Sequence, residues 1–143
     1  MELIPYKDFP LKTFDKIRYA DTDRQGHVNN AVFSTYFETG RAEMVYDEET
    51  PLLTKENTSF VIASFKVDYL LEIKWPGVVN IGTAVTRIGN SSIGLYQQLF
   101  QEHKCVAKAE TVIVQVDDAT AKSKSLSEEL KAKLEVWKVD NLK

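Results

Sequence analysis

From Phe60 to Val116 the hydrophobic period is two almost without interruption, and just upstream it is three to four over a single long run. Those two periods specify half-buried strands and a helix with a broad apolar stripe. Turn-forming residues divide the strand region into four pieces. In the first, Phe60 to Ile73, the apolar residues Val61, Ala63, Phe65, Val67, Tyr69, Leu71 and Ile73 alternate with Ser64, Lys66, Asp68 and Glu72. That predicts one strand of about 14 residues. Trp75-Pro76-Gly77 turns the chain, Val79, Ile81 and Val85 mark the second strand, and Gly89-Asn90-Ser91-Ser92 ends it. A third runs from Ile93 to Glu102 and, after a short turn at His103-Lys104, a fourth from Cys105 to Val116. Turns this short require antiparallel pairing, because parallel neighbours need crossovers of about a dozen residues.

The helix is expected from about Asn30 to about Asp47, with Val32, Phe33, Tyr36, Phe37, Met44 and Val45 on its apolar face. Gly40 sits mid-helix, where glycine costs about 1 kcal/mol relative to Ala. It implies that another backbone passes close by. Along the last strand Cys105, Ala107, Ala109, Thr111 and Ile113 present a face of mostly small side chains, which lets a sheet close on a bulky helix. Phe14 to Asp21 alternates as a first strand, after an irregular arm over residues 1–13. Residues 125–137 predict a C-terminal helix with a Ser125–Glu128 capping box and a stripe of Leu126, Leu130, Leu134 and Trp137. The fold class is α+β: an antiparallel sheet of about five strands curled around one long central helix, with a C-terminal helix outside it.

At 143 residues the expectation is one domain over residues 1–143. A net charge of −3 gives no footprint for nucleic acid. No apolar run approaches the roughly 20 residues of a membrane span. Met1-Glu2-Leu3-Ile4-Pro5 lacks the basic-then-apolar order of a secretory signal, and one cysteine leaves no internal disulfide. A cytoplasmic location is the expectation. His103 and Cys105 lack the further ligands a zinc site needs, so no metal is expected and the pair reads as a hairpin and a core thiol.

Chemistry concentrates where the first strand meets the helix, in Asp21-Thr22-Asp23-Arg24-Gln25-Gly26-His27-Val28-Asn29-Asn30. Two carboxylates, a histidine and two asparagines stand beside a helix N-terminus, whose free N–H groups and dipole favour developing negative charge. Asn29 or Asn30 suits the N-cap. Asp23 taken alone also fits an Asx turn, a local hydrogen-bonding role that Asp fills often. Asp21 reads as a strand-end or turn residue. His27 can orient a substrate or the carboxylate, or pack with its ring bonded to backbone.

This string, in this order of elements, resembles the hotdog-fold acyl-CoA thioesterases of the 4-hydroxybenzoyl-CoA thioesterase type. The likeness spans residues 14–137 and is sharpest from Tyr19 to Arg41. It implies an acyl-CoA or acyl-carrier-protein thioester as substrate, in fatty acid metabolism, with no cofactor beyond the coenzyme A of the substrate. It places the catalytic carboxylate on Asp23 and the oxyanion on backbone N–H near Asn30 and Ala31. Some members carry a histidine at the position of Asn30, and its absence here leaves any histidine contribution to His27 or to nothing. Read from the residues, Asn29 (otherwise a cap) and Ser64, near the start of the long strand where a partner subunit's substrate would pass, are further substrate-binding candidates. Some members use a glutamate further along the helix, a region that here contains Glu38. A homodimer or homotetramer, with the site between subunits, is implied as well. Two routes stay open for Asp23: direct attack giving an anhydride, or general-base activation of water. A hotdog module that binds acyl-CoA without cleaving it is the alternative of a different class.

Overall fold

The computed structural model describes residues 3–47, 49 and 57–139. Five strands, β1 (Leu11–Lys16), β2 (Thr58–Tyr69), β3 (Val78–Ile88), β4 (Ser92–Gln101) and β5 (Lys104–Asp117), form one antiparallel sheet in the order β1-β3-β4-β5-β2. The long helix α1 (Asn30–Val45) lies on one face of it, and α2 (Glu128–Glu135) packs near one end. This is the expected α+β hotdog arrangement.

The sheet wraps α1 because its inward residues alternate with outward ones along β3, β4 and β5. Ile17, Ile73, Val79, Ile81, Leu99, Ala107 and Ala109 close around Phe33, Tyr36 and Phe37. A second cluster joins Met44 to Val85, Ile93, Leu95 and Ile113, and the α2 stripe Leu126, Leu130, Leu134 and Trp137 completes it as expected. The outer face is covered by the N-terminal arm, where Ile4 and Phe9 pack on Ala84, Tyr96 and Phe100. Cys105 belongs to this outer cluster and not to the small-residue face, because the β4–β5 register shifts between Leu99 and Phe100.

Gly40 works as expected in position but against different atoms. A Cβ there would come within 2.7 Å of Gln97 Nε2 and Ile81 Cγ2 and 2.9 Å of Thr83 Oγ1, so side chains of the sheet, not a backbone, set the close approach.

Several element bounds and one strand's phase differ from the pattern of hydrophobics. The first strand is Leu11–Lys16, not Phe14 to Asp21, and its start lies within the supposed irregular arm. Tyr19–Asp21 instead form a 3-10 turn, because the Asp21 carboxylate accepts the Arg18 N–H locally at 2.9 Å. In β2 an extra residue between Ile62 and Ser64 shifts the phase. Phe65 and Val67 therefore pack inward while Val61 is exposed. The strand also stops at Tyr69, since the N–H groups of Leu70 and Leu71 both converge on Val106 O. The cap of α2 is Ser127, whose Oγ accepts the Leu130 N–H at 3.0 Å, whereas Ser125 accepts from Asn90 Nδ2.

Gly40→Ala is expected to lower stability by about 1–3 kcal/mol through overpacking, outweighing the gain of roughly 1 kcal/mol in helix propensity. A Tm equal to or above that of the parent would show that the sheet yields at Ile81 and Thr83.

Candidate active site

The segment between β1 and α1 is built on Asp21, which is 6% exposed. Its Oδ2 accepts from the Arg18 N–H at 2.9 Å and from the Tyr36 hydroxyl at 2.8 Å, and Arg18 Nε stands 3.6 Å from its Oδ1. Its carbonyl oxygen accepts the Asn29 N–H at 2.9 Å. One residue thus ties the turn, the buried middle of α1 and the N-cap together. These contacts give Asp21 the turn role expected of it.

Residues 22–28 form a small loop closed by a Thr22–Val28 bridge and by Asp23 N–H donating to His27 O at 2.8 Å. Gly26 takes φ +81°, a conformation that favours glycine. Asp23 Oδ1 accepts the N–H groups of Gln25 at 2.8 Å and His27 at 3.3 Å. The Asx-turn role is therefore present in full, on one oxygen only. Oδ2 takes no hydrogen bond from any described residue. Asn29 is the N-cap, its Oδ1 accepting the Ala31 N–H at 3.0 Å. Of the two expected oxyanion donors, Ala31 N–H is thus engaged, while Asn30 N–H meets no acceptor among the described residues.

The chain after β2 folds back along this loop. Val28 N–H donates to Ile73 O at 2.8 Å and His27 pairs with Lys74, which places Tyr69 to Glu72 opposite the start of α1. Between them lies a cleft of about 350 Å³ lined by Asp23, Gln25, His27, Asn30, Phe33 and Tyr69 to Glu72. Tyr69 crosses it, with its ring 5.1 Å from that of Phe33 and its hydroxyl donating to Asn30 O at 3.3 Å. His27 Nε2 stands 3.1 Å from Glu72 Oε2. Leu70 and Leu71 supply an exposed apolar rim.

Asp23, His27, Asn30 and the cap Asn29 are therefore gathered at one place. Ser64 is not: it is exposed on the face of β2 opposite Phe65 and lines no part of this cleft. Glu38 is exposed about 12 Å further along α1, given a rise of 1.5 Å per residue, and lines a separate cavity. Glu72 is the residue that sequence reasoning missed. Its period-two setting reads as strand, and only the early end of β2 turns it toward His27.

A family model described as a thioesterase-like superfamily matches residues 17–134. The chain belongs to that superfamily. Among its relatives, the acyl-CoA thioesterase YbgC of Haemophilus influenzae is 27% identical over 128 residues, which cover 87% of this chain and 90% of the relative. A predicted thioesterase from Bacillus stearothermophilus superposes with a TM-score of 0.81 at 28% identity, over 90% of this chain and 96% of that one. A thioesterase from Thermus thermophilus, solved with coenzyme A and Zn, superposes with a TM-score of 0.75 at 27% identity, over 90% and 95% of the two chains. Among the described residues no cluster of three or more His, Cys, Asp or Glu side chains is placed to hold a metal ion, and no helix is long and apolar enough to cross a membrane.

Burial, followed by the Asp21 carboxylate, holds the Tyr36 hydroxyl well above the ordinary tyrosine range. Tyr36→Phe is expected to lower stability by about 1–2 kcal/mol at neutral pH, since Asp21 loses a buried donor. The unfolded chain gives up this proton near pH 10 while the folded protein keeps it. The folded state therefore binds more protons above that pH, and stability falls as pH rises. Denaturant unfolding from pH 8 to 11 should show a shallower alkaline decline in Tyr36→Phe than in the parent.

Proposed function

We propose that this chain hydrolyses acyl-CoA thioesters, or the equivalent thioesters of an acyl carrier protein, with Asp23 as the working carboxylate. The observation that carries the reading is that one cleft holds both a carboxylate oxygen and a helix N–H that meet no partner among the described residues. A thioester carbonyl seated there would direct its oxygen toward Asn30 N–H at the positive end of α1. That donor meets the negative charge that develops as the carbonyl becomes tetrahedral. Thiolates leave readily, so no strong acid need stand on the other side.

Asp23 Oδ2 then acts in one of two ways. As a nucleophile it attacks the carbonyl carbon, expels the coenzyme A thiolate and forms a mixed anhydride, which water cleaves to release the acid. As a general base it takes a proton from a water that attacks the same carbon. In both routes the Gln25 and His27 N–H groups fix the carboxylate through Oδ1. His27, paired with Glu72, lines the same cleft and would assist Asp23 there. The narrower likeness to the 4-hydroxybenzoyl-CoA thioesterase type rests on the string from Asp21 to Asn30 and on this placement of its residues.

We further propose a homodimer, or a homotetramer built from one. β2 is an edge strand of 12 residues with Val61 and Ile62 about half exposed. A long apolar edge of that kind invites pairing with another chain. In such an assembly the exposed Leu70 and Leu71 rim lies near the join, so the partner can complete the acyl pocket.

Thiol release from short, medium, long and aromatic acyl-CoAs tests the hydrolase reading. Asp23→Asn keeps an oxygen for the Gln25 and His27 N–H groups, so the fold should hold while turnover falls by roughly 10²–10⁴. Full activity in that variant would assign the chemistry to another group. Binding of acyl-CoA by folded parent protein without turnover would move the reading to a non-catalytic module. A single turnover in ¹⁸O-labelled water, with trapping by hydroxylamine, separates the routes. Label in Asp23 shows a covalent anhydride cleaved at the Asp23 carboxyl, whereas label in the released acid alone fits general-base attack or an anhydride cleaved at the acyl carbon. Trapping the acyl-enzyme with hydroxylamine then distinguishes those two.

A further inference from the structure

The described part of α1 borders a second cavity, of about 310 Å³, between its C-terminal half and the first half of β2. Asn30 and Arg41 are eleven residues apart, which puts this cavity about 16 Å along the helix from the Asp23 cleft. The aromatic pairs Phe33–Tyr69 and Phe37–Phe65 fill the seam between the two. Its walls are largely apolar, with Val45, Phe60, Ile62 and Ile113 among them. One wall carries Arg41, which is 8% exposed, and the exposed Glu38 one turn earlier lines the same cavity.

That guanidinium is poorly matched by the protein. It donates from Nη1 to Gln97 Oε1 at 3.3 Å and lies 5.1 Å from the centroid of the Phe65 ring. Among the described residues no carboxylate lies within ion-pair distance of it. Glu38, one turn back on the same helix, is exposed and acts only at longer range. A guanidinium has five N–H donors, and here one bond to a neutral amide serves a buried charge. Burial accordingly pulls the Arg41 pKa below its ordinary value, with Glu38 offsetting part of the effect. Close by, Thr111, the register partner of Phe65 and on the same face of β5 as the cavity residue Ile113, has a buried hydroxyl without a partner.

A buried cation short of acceptors calls for an anion, and apolar walls call for an apolar body on that anion. A guanidinium fork fits one planar carboxylate. We propose that this cavity is a ligand site for an apolar chain ending in a carboxylate, whose head group sits on Arg41. The carboxylate has two possible sources: a free carboxylic acid, or the distal carboxylate of an acyl group that carries one at its far end.

The test uses the full chain, with decanoate and the uncharged decanol as probes, each titrated by calorimetry and by methyl shifts of Ile62, Ile113 and Val45. The site predicts that decanoate binds the parent protein about tenfold more tightly than decanol, or better, as a charge-assisted pair should. The shifts should fall on those three residues. Arg41→Met, of similar bulk, should bind the two probes alike, and Arg41→Lys should keep part of the preference. Equal affinity of the parent protein for both probes overturns the proposal whether or not the variants fold. So does absence of binding, or shifts confined to Val28 and the cleft beside Asp23. Hydrolysis of an ω-carboxyacyl-CoA and a methyl-ended acyl-CoA of equal length then separates the sources. Loss confined to the first substrate in Arg41→Met assigns the site to the acyl tail, and equal turnover alongside lost decanoate binding assigns it to a free acid. The calorimetric arm stands even if the chain hydrolyses no thioester.

Discussion

The close approach of α1 to the sheet at Gly40 governs much else in this molecule. With no side chain at that position, Ile81, Thr83 and Gln97 reach the helix surface, and Tyr36 and Phe37 are left with no measurable exposure. Gln97 then turns the contact into a polar lock. Its amide donates at 3.0 Å both to Phe37 O in the helix and to Thr83 Oγ1 in β3, and its oxygen accepts from Arg41. A buried amide with its partners filled costs little and allows few alternatives, since any shift of the helix would leave it unsatisfied. The axis of α1 is fixed by that requirement, and with it the direction in which the first N–H groups of the helix point.

Asp21 carries the same constraint outward to the site. Its carboxylate meets Tyr36, one of the side chains locked under the sheet, while its carbonyl receives the N–H of the cap residue Asn29. The loop bearing Asp23 therefore hangs between two fixed points, β1 and the helix start. Asp23 does not need to be buried to be well placed. Its Asx turn holds Oδ1, and a side chain held on one oxygen loses little further freedom when the other meets a reacting carbon. The Asx-turn role occupies one oxygen of the Asp23 carboxylate, so the chemical role proposed for it would use the other.

The legible parts of the sequence were those governed by hydrophobic period and by turn chemistry. α1 begins at Asn30 as expected and ends within two residues of the expected place, and β3, β4 and β5 match within one residue at nearly every end. Departures arise where a hydrogen bond outranks the period. Asp21 pulls Tyr19 to Asp21 out of a strand whose alternation continues to Tyr19, and Val106 O stops β2 while Leu71 and Ile73 still keep the rhythm. Ile73 is buried after all, but in a segment folded over the Asp23 loop. The bulge between Ile62 and Ser64 is silent in the sequence, because apolar residues flank it in both phases. Glu72 was hidden for the same reason: its partner His27 is 45 positions away, and no local pattern predicts where a strand will be released early.

The two ends of α1 show how a single helix can serve two electrostatic tasks. At its start the backbone supplies partial positive charge at no cost in burial, because the donors are already unsatisfied by geometry. Near its other end that device reverses sign, and an anion there would meet the carbonyl end of the dipole. A full positive charge is needed to overcome it, and Arg41 supplies one from within the helix–sheet layer. The aromatic ring of Phe65 on one side and Gln97 on the other hold the guanidinium, and Glu38 acts on it at longer range. An interior aliphatic residue at position 41 would suit packing alone. An arginine that meets no carboxylate at ion-pair distance among the described residues is what packing does not explain, and the proposed anionic ligand would account for it.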